Sequence, residues 1–332
     1  MVLAPNMTAP LLEVRHLRVE FPTRRGTLLA LDDISFDIAP GEILGVVGES
    51  GAGKSLTGAA IIGLLEPPGR IASGEIRLEG ERIDNLPPER MRAIRGRKIG
   101  AIFQDPLTSL NPLYTIGQQL VETILTHLPV STEEAKARAI RLLQETGIPA
   151  AEARIEQYPH QFSGGMRQRV VIALALAAEP KLIVADEPTT ALDVSIQAQI
   201  ISLLKRLCKD HGAAVMLVTH DMGVIAETCD RVAVLYAGRV AEIGPVHEVI
   251  HHPSHPYTVG LMGSIPTMDE DRERLLQIDG SMPRLNAIPA GCAFNPRCTQ
   301  VMERCRRERP DLLNAGPTRA ACWLVNPARA SA

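Results

Sequence analysis

The sequence predicts an α/β fold whose chemistry sits on loops at the ends of buried strands, and three observations predict it. An apolar run from Glu42 to Val47 passes through Gly48-Glu49-Ser50-Gly51-Ala52-Gly53-Lys54-Ser55 into a helix-like stretch beginning at Leu56. A second apolar run, Lys181 to Ala185, ends in the adjacent carboxylates Asp186 and Glu187 ahead of Pro188. Residues 11–21 and 29–38 alternate apolar with polar side chains, the period of half-buried strands, so a small antiparallel layer precedes the first loop.

The order strand, glycine loop, helix is that of a phosphate-binding loop. Glycines at 48, 51 and 53 let the backbone turn its N–H groups around an anion, and the amides opening the next helix add partial positive charge. In G-x-x-x-x-G-K-[ST] the lysine, here Lys54, reaches the β- and γ-phosphates, and the hydroxyl, here Ser55, reaches Mg²⁺. A solvent-facing lysine after a glycine turn is the plain alternative, and the flanking strand and helix argue against it. Phe21, ahead of Pro22, could stack on an adenine or simply fill the core.

Composition narrows the classes. The chain has 332 residues with 45% hydrophobic side chains, enough for one large or two modest domains. A formal charge of -3 and 3% aromatics offer neither the basic surface nor the stacking platforms of a nucleic-acid binder. Apolar runs such as Val170 to Ala178 fall short of the roughly 20 residues that span a bilayer. Met1-Val2-Leu3-Ala4-Pro5 lacks the basic and apolar regions of a secretion signal, so a cytoplasmic protein is expected, with any membrane role coming through a partner.

Past the glycine loop, residues 73–84 read as a hairpin turning at Gly80, and Arg97 to Phe103 as a strand running into Gln104-Asp105-Pro106. Residues from Leu107 to about Phe162 look helical. Ser131-Thr132-Glu133-Glu134 is a capping box opening a helix with Ala135, Ala139, Leu142 and Leu143 on one face and a stop at Gly147. Phe162-Ser163-Gly164-Gly165-Met166 opens another helix. The strand ending in Asp186 and Glu187 should deliver them to the C-terminal edge of a parallel sheet, where Asp186 would hold Mg²⁺ and Glu187 would orient or deprotonate water. Asp193 is expected to cap a helix from Val194 to His211, stopped by Gly212. A buried strand, residues 213–219, then ends in His220, a candidate γ-phosphate contact, and a hairpin over 231–243 turns at Ala237-Gly238.

With these pieces in order, the chain resembles an ATP-binding subunit of an ABC transporter over roughly residues 10–250, a P-loop NTPase with an antiparallel β layer and a helical subdomain at about 107–178. Gly48 to Ser55, with Leu56 following, matches the family's Walker A motif, Gln104 its Q-loop and Phe162 to Met166 its signature. Asp186 and Glu187 match Walker B, Ala191-Leu192-Asp193 the D-loop and His220 the H-loop. The usual signature is Leu-Ser-Gly-Gly-Gln; Phe162 and Met166 replace its ends, and the Ser-Gly-Gly core is intact. The resemblance implies ATP and Mg²⁺ (through Ser55, Gln104 and Asp186) as ligands, and Glu187 and His220 as catalytic residues. It also implies a head-to-tail dimer in which Ser163, Gly164, Gly165 and Met166 close over the partner's ATP.

Residues 251–332 look like the extension of the oligopeptide/dipeptide importer branch, as does Phe162-Ser163-Gly164-Gly165-Met166-Arg167-Gln168-Arg169. That branch implies a subunit at the cytoplasmic face of the inner membrane. It would work with two transmembrane permease subunits, an extracytoplasmic solute-binding protein and a second, related ATPase, and not with nucleic acid. The alternative is a soluble ABC ATPase acting on ribosomes or DNA; those usually fuse two cassettes or insert a long coiled coil. A non-hydrolysing ATP-gated module is a third reading, opposed by Glu187 and His220. His251, His252 and His255 could suggest a metal, but Pro253 and Pro256 favour a plain helix-to-loop junction.

Four of the six cysteines, Cys292, Cys298, Cys305 and Cys322, fall in the last 41 residues, where an even spread would place about 0.7. In a cytoplasmic protein disulfides are disfavoured, leaving a metal site or unrelated thiols. The spacings lack the paired C-x₂₋₄-C knuckles of structural zinc, and four thiolates can also hold an iron–sulfur cluster. Members of the importer branch carry four such cysteines, which implies a structural 4Fe-4S cluster ahead of Zn²⁺.

Overall fold

The computed structural model describes residues 9–190, 192–264 and 277–325. Ala191 of the D-loop reading and the end of the tail thus lie outside the described residues. In chain order the elements begin with β1 (Leu12–Thr23), β2 (Gly26–Ile38), β3 (Ile43–Val47), α1 (Lys54–Ile61), β4 (Arg70–Leu78) and β5 (Glu81–Arg82). There follow α2 (Pro88–Ile94), β6 (Ile99–Ile102), α3 (Pro106–Ser109), α4 (Ile116–His127), α5 (Thr132–Glu145), α6 (Ala151–Arg154) and α7 (Gly164–Leu176). The chain continues with β7 (Leu182–Asp186), α8 (Val194–His211), β8 (Ala214–Val218), α9 (Met222–Thr228), β9 (Arg231–Tyr236), β10 (Arg239–Pro245), α10 (Val246–His251) and α11 (Pro256–Gly263). Its last elements are α12 (Glu303–Arg307), β11 (Leu313–Ala315) and β12 (Thr318–Ala320).

These elements form two compact units that alternate along the chain. One comprises the segment ending at Glu13, Asp37–Ile43 and Arg77–Val218. In it β6, β7 and β8 pair parallel, with Ile102 opposite Ala185 and Asp186 opposite Val218. These strands are buried along nearly their whole length, which is why they read as continuous apolar runs rather than alternations. The helices are set by their caps. Thr115 and Ser131 both make full capping boxes, opening α4 and α5, and α5 buries Ala135, Ala139, Leu142 and Leu143 as its spacing predicts. α7 has no polar stripe: Gln168, Val170, Val171, Ile172, Ala173, Ala175 and Leu176 are buried. From Val170 to Leu176 it is apolar, and a stretch apolar on every side is one packed on every side. Asp193 stands at the N-cap of α8 but makes no side-chain capping bond, whereas Gly212 ends that helix in the left-handed region as expected.

The other unit comprises Val14–Phe36, Leu44–Ile76 and the segment from Thr219 on. β1 lies between β2 and β4. β3 pairs parallel with β9, with Leu44 opposite Arg231 and Val47 opposite Val234, and β9 turns through Ala237-Gly238 into antiparallel β10. The tail extends this sheet: β12 pairs with β10 at Glu242↔Ala320, and β11 pairs with β12. The cysteine-bearing segment is therefore docked by backbone hydrogen bonds.

Candidate functional site

The phosphate loop needs glycine at its two ends for different reasons. Gly48 has φ +151, and a Cβ there would stand 2.3 Å from the Leu235 carbonyl oxygen; at Gly53, φ +102, it would stand 2.6 Å from Leu31 Cδ2. The chain is thus held close to β9 and β2 while it reverses into α1. Lys54 is buried, and its Nζ donates to the carbonyls of Gly48 at 2.8 Å and Glu49 at 3.2 Å, folding the ammonium back over the loop. Gly238 N–H donates to Ala52 O, and Thr57 Oγ1 donates to Gly53 O, fastening both flanks. Ser55 is exposed at the start of α1. Phe21 is half-buried, with its ring edge against the backbone at Gly69.

Two contacts on this loop have no local signature in the sequence. The Glu49 amide donates to Tyr257 Oη at 2.9 Å, and the Glu49 carboxylate receives both arms of the Arg297 guanidinium. Both partners come from the tail, more than 200 residues away.

In the other unit, β7 delivers Asp186 and Glu187 at its end, both half-buried. Glu187 has φ 44, a left-handed backbone that costs energy in a residue with a Cβ. Its N–H donates to Val218 O, and its Oε2 accepts from Gln104 Nε2 at 3.2 Å and from Thr190 Oγ1 at 2.8 Å. The Q-loop glutamine and the Walker B glutamate are therefore brought together. Thr190 is a third partner that carries no motif of its own in the sequence. The signature caps its own helix: Ser163 Oγ accepts from Met166 N–H at 3.4 Å, and Phe162 is buried beneath it. A Cβ at Gly165 would lie 3.1 Å from Ile196 Cγ2, so α8 closes on the glycines. His220, just past β8, is exposed.

The four tail cysteines converge. Cys292, Cys298, Cys305 and Cys322 line one small cavity together with Phe294, His255 and Trp323. Cys292 N–H donates to Cys305 O, and Asn295 Nδ2 donates to the carbonyls of Ala290 and Cys292, shaping the first turn. All four are free thiols. Burial pushes Cys292 and Cys322 up to about 11 and raises Cys298, with neighbouring cysteines adding to the rise. Among the described residues, the metal-type group whose donor atoms all lie within 4.8 Å of one another is His247, Glu248 and His252, not a trio of these thiols. His255 serves the helix rather than a metal, for it is buried and its Nδ1 accepts from Tyr257 N–H at 3.0 Å to cap α11.

Residues 31–190 match the family described as ABC transporter, and residues 241–305 match the oligopeptide/dipeptide transporter C-terminal region. The chain is 47% identical to the oligopeptide transport ATP-binding protein OppD of Salmonella typhimurium over 92% of this chain and 91% of that one. It is 48% identical to OppD of Bacillus subtilis over 96% and 89%. Among solved structures, a dimeric post-hydrolysis ATP-binding cassette, MJ0796 bound to ADP and Pi, is 30% identical with TM-score 0.63, covering 71% of this chain and 98% of that one. CbiO1 of Clostridium perfringens, part of an ABC transporter complex, is likewise 30% identical with TM-score 0.63, covering 73% and 91%. Among the described residues no helix is long and apolar enough to cross a membrane.

Proposed function

Because the chain belongs to the oligopeptide transport ATP-binding proteins of the ABC transporter family, we propose that it hydrolyses ATP to power the import of peptides through separate permease subunits. The observation that carries this reading is the reach of the similarity. It runs over more than nine-tenths of the chain, tail included, at 46–48% identity, whereas a general ATPase likeness would stop near residue 245. The relatives' names speak for transport rather than for ribosomes or DNA.

In this reading the Gly48–Ser55 loop cradles the phosphates, Lys54 leaves the loop carbonyls for the β- and γ-phosphates, and Phe21 stacks on the base. Ser55, Gln104 and Asp186 would hold Mg²⁺, which when bound would supply charge neutralisation to the phosphoryl oxygens. Glu187 orients or deprotonates the attacking water, its carboxylate already aimed by Gln104 and Thr190. His220 contacts the γ-phosphate. Ser163, Gly164, Gly165 and Met166, at a helix N-terminus, close over the ATP of a second ATPase subunit, with Asp193 at the same interface. ATP thereby shifts the pair towards a closed state and hydrolysis releases it.

The assembly comprises two permease subunits, a related second ATPase forming a heterodimer, and an extracytoplasmic solute-binding protein, with this chain on the cytoplasmic face of the inner membrane. The boundary between ATPase and extension falls near residue 250. We assign the four thiols, which line one cavity, a structural 4Fe-4S cluster in preference to Zn²⁺. Buried thiols with raised pKa stay protonated and inert unless a metal takes the proton's place. Co-purification from detergent-solubilised membranes tests the assembly: recovery with two integral-membrane chains and peptide-stimulated ATP turnover is expected, and recovery only as a soluble ATPase contradicts it.

A further inference from the structure

Glu49 occupies a variable position of the phosphate loop, where the phosphate chemistry itself asks for no carboxylate. Yet its side chain is held by a bidentate pair from the tail. Arg297 Nη1 donates to Oε2 at 2.6 Å and Nη2 to Oε1 at 2.9 Å, a bidentate pair whose arginine side chain is 6% exposed. The remaining arginine donors are also committed. Nε donates to Asp279 O at 2.8 Å, Nη2 to Ile278 O at 3.3 Å and Nη1 to Tyr236 Oη at 3.4 Å. The guanidinium lies 5.8 Å from the Tyr236 ring and 5.9 Å from that of Phe294. Tyr257, packed edge-on against Tyr236 at 4.7 Å, takes the Glu49 amide on its hydroxyl. One residue of the loop is thus fixed at both its backbone and its side chain by the tail. The Glu49 carbonyl in turn receives Lys54 Nζ.

We propose that Arg297 is a positioning residue for nucleotide binding: through Glu49, and with Tyr257, it sets the loop in its phosphate-receiving shape. The inference rests on the reading that this loop binds ATP. A loop ordered beforehand loses less freedom on binding, so the clamp acts on affinity and leaves the hydrolytic step to other residues. Because Arg297 directly precedes Cys298, whatever the thiols hold also anchors the clamp.

The test uses the full chain, a fluorescent ATP analogue with Mg²⁺, and steady-state turnover. Arg297→Gln should raise Kd and KM about tenfold with kcat within about twofold, Arg297→Lys should fall between, and Glu49→Gln should match Arg297→Gln. The double variant should be no worse than either single one, since both remove one interaction. Tyr257→Phe, which keeps the ring and deletes the hydroxyl, should raise Kd about threefold, the size of one lost hydrogen bond, and does not depend on the tail tolerating a buried glutamine. Wild-type Kd in both Arg297→Gln and Tyr257→Phe, or additive losses in the double variant, would overturn the proposal. Lys54→Ala separates the two layers: it should abolish binding, and wild-type binding there would instead sink the assignment of the ATP site on which the clamp depends.

Discussion

Gln104 Nε2 donates to Glu187 Oε2 at 3.2 Å across 83 positions of sequence, and Thr190 Oγ1 donates to the same oxygen at 2.8 Å. The glutamate proposed to handle water therefore has one carboxylate oxygen occupied by neutral donors and its backbone held in a left-handed turn. Removing Gln104 takes one of these two donors from that oxygen and leaves Thr190 in place, without touching the phosphate loop. Gln104→Ala should lower kcat, measured at saturating Mg²⁺ and nucleotide, about tenfold, the worth of one well-placed hydrogen bond. Unchanged turnover would show that this bond does not aim the carboxylate.

The signature glycines give a second prediction. Gly165→Asp places a carboxylate where the partner's γ-phosphate is expected, so turnover should be lost while the isolated chain still binds nucleotide. A Cβ at Gly165 already approaches Ile196 Cγ2 at 3.1 Å, so Gly165→Ala is the control for sterics and should keep most activity. Equal loss in both variants would mean packing against α8, not charge, is what the position protects.

Metal content tests the tail. Protein purified without oxygen should be brown and carry about four irons per chain when fully loaded. Cys298→Ser should remove the metal while ATP still binds, with the weaker affinity expected once Arg297 loses its neighbour's anchorage. Colourless protein with one zinc per chain would contradict the cluster assignment.

His255 predicts a pH dependence of stability. Burial holds its pKa down to about 4, and its Nδ1 is the acceptor that caps α11. Above pH 6.5 the imidazole is neutral in both folded and unfolded chains and contributes nothing. As pH falls from 6.5 towards 4 the unfolded chain binds a proton that the folded one refuses, so stability is lost, by about 2 kcal/mol at pH 5. Urea unfolding at pH 7 and pH 5 should show this loss, and His255→Asn, which keeps a capping acceptor, should flatten it. An identical pH slope in that variant would place the titrating group elsewhere.

What the sequence made legible was whatever a short window encodes. The alternation in 11–21, the capping box at Ser131 and the apolar strand ending in Asp186 each report a local period or a local hydrogen bond, and each appears as an element where expected. The thiol cavity was legible as an excess of cysteines, though not its shape. Glu49 with Arg297 was not legible, because two residues 248 positions apart carry no shared pattern until the tail pairs β12 onto β10. Asp193 shows the opposite limit: it stands at the cap position that its residue type predicts, yet the capping hydrogen bond is not made. His255 read as part of a helix-to-loop junction, and it stands at the N-cap of α11; that its own ring supplies the capping acceptor was not legible.

The central claim is that hydrolysis at Glu187 drives peptide entry, and the direct measurement is uptake of labelled peptide by vesicles carrying the assembled transporter with Glu187→Gln in this chain. The expected result is ATP binding with wild-type affinity, turnover reduced by about a thousandfold, as for loss of a general base, and uptake reduced in proportion. Peptide accumulation at the wild-type rate in that variant would contradict the account.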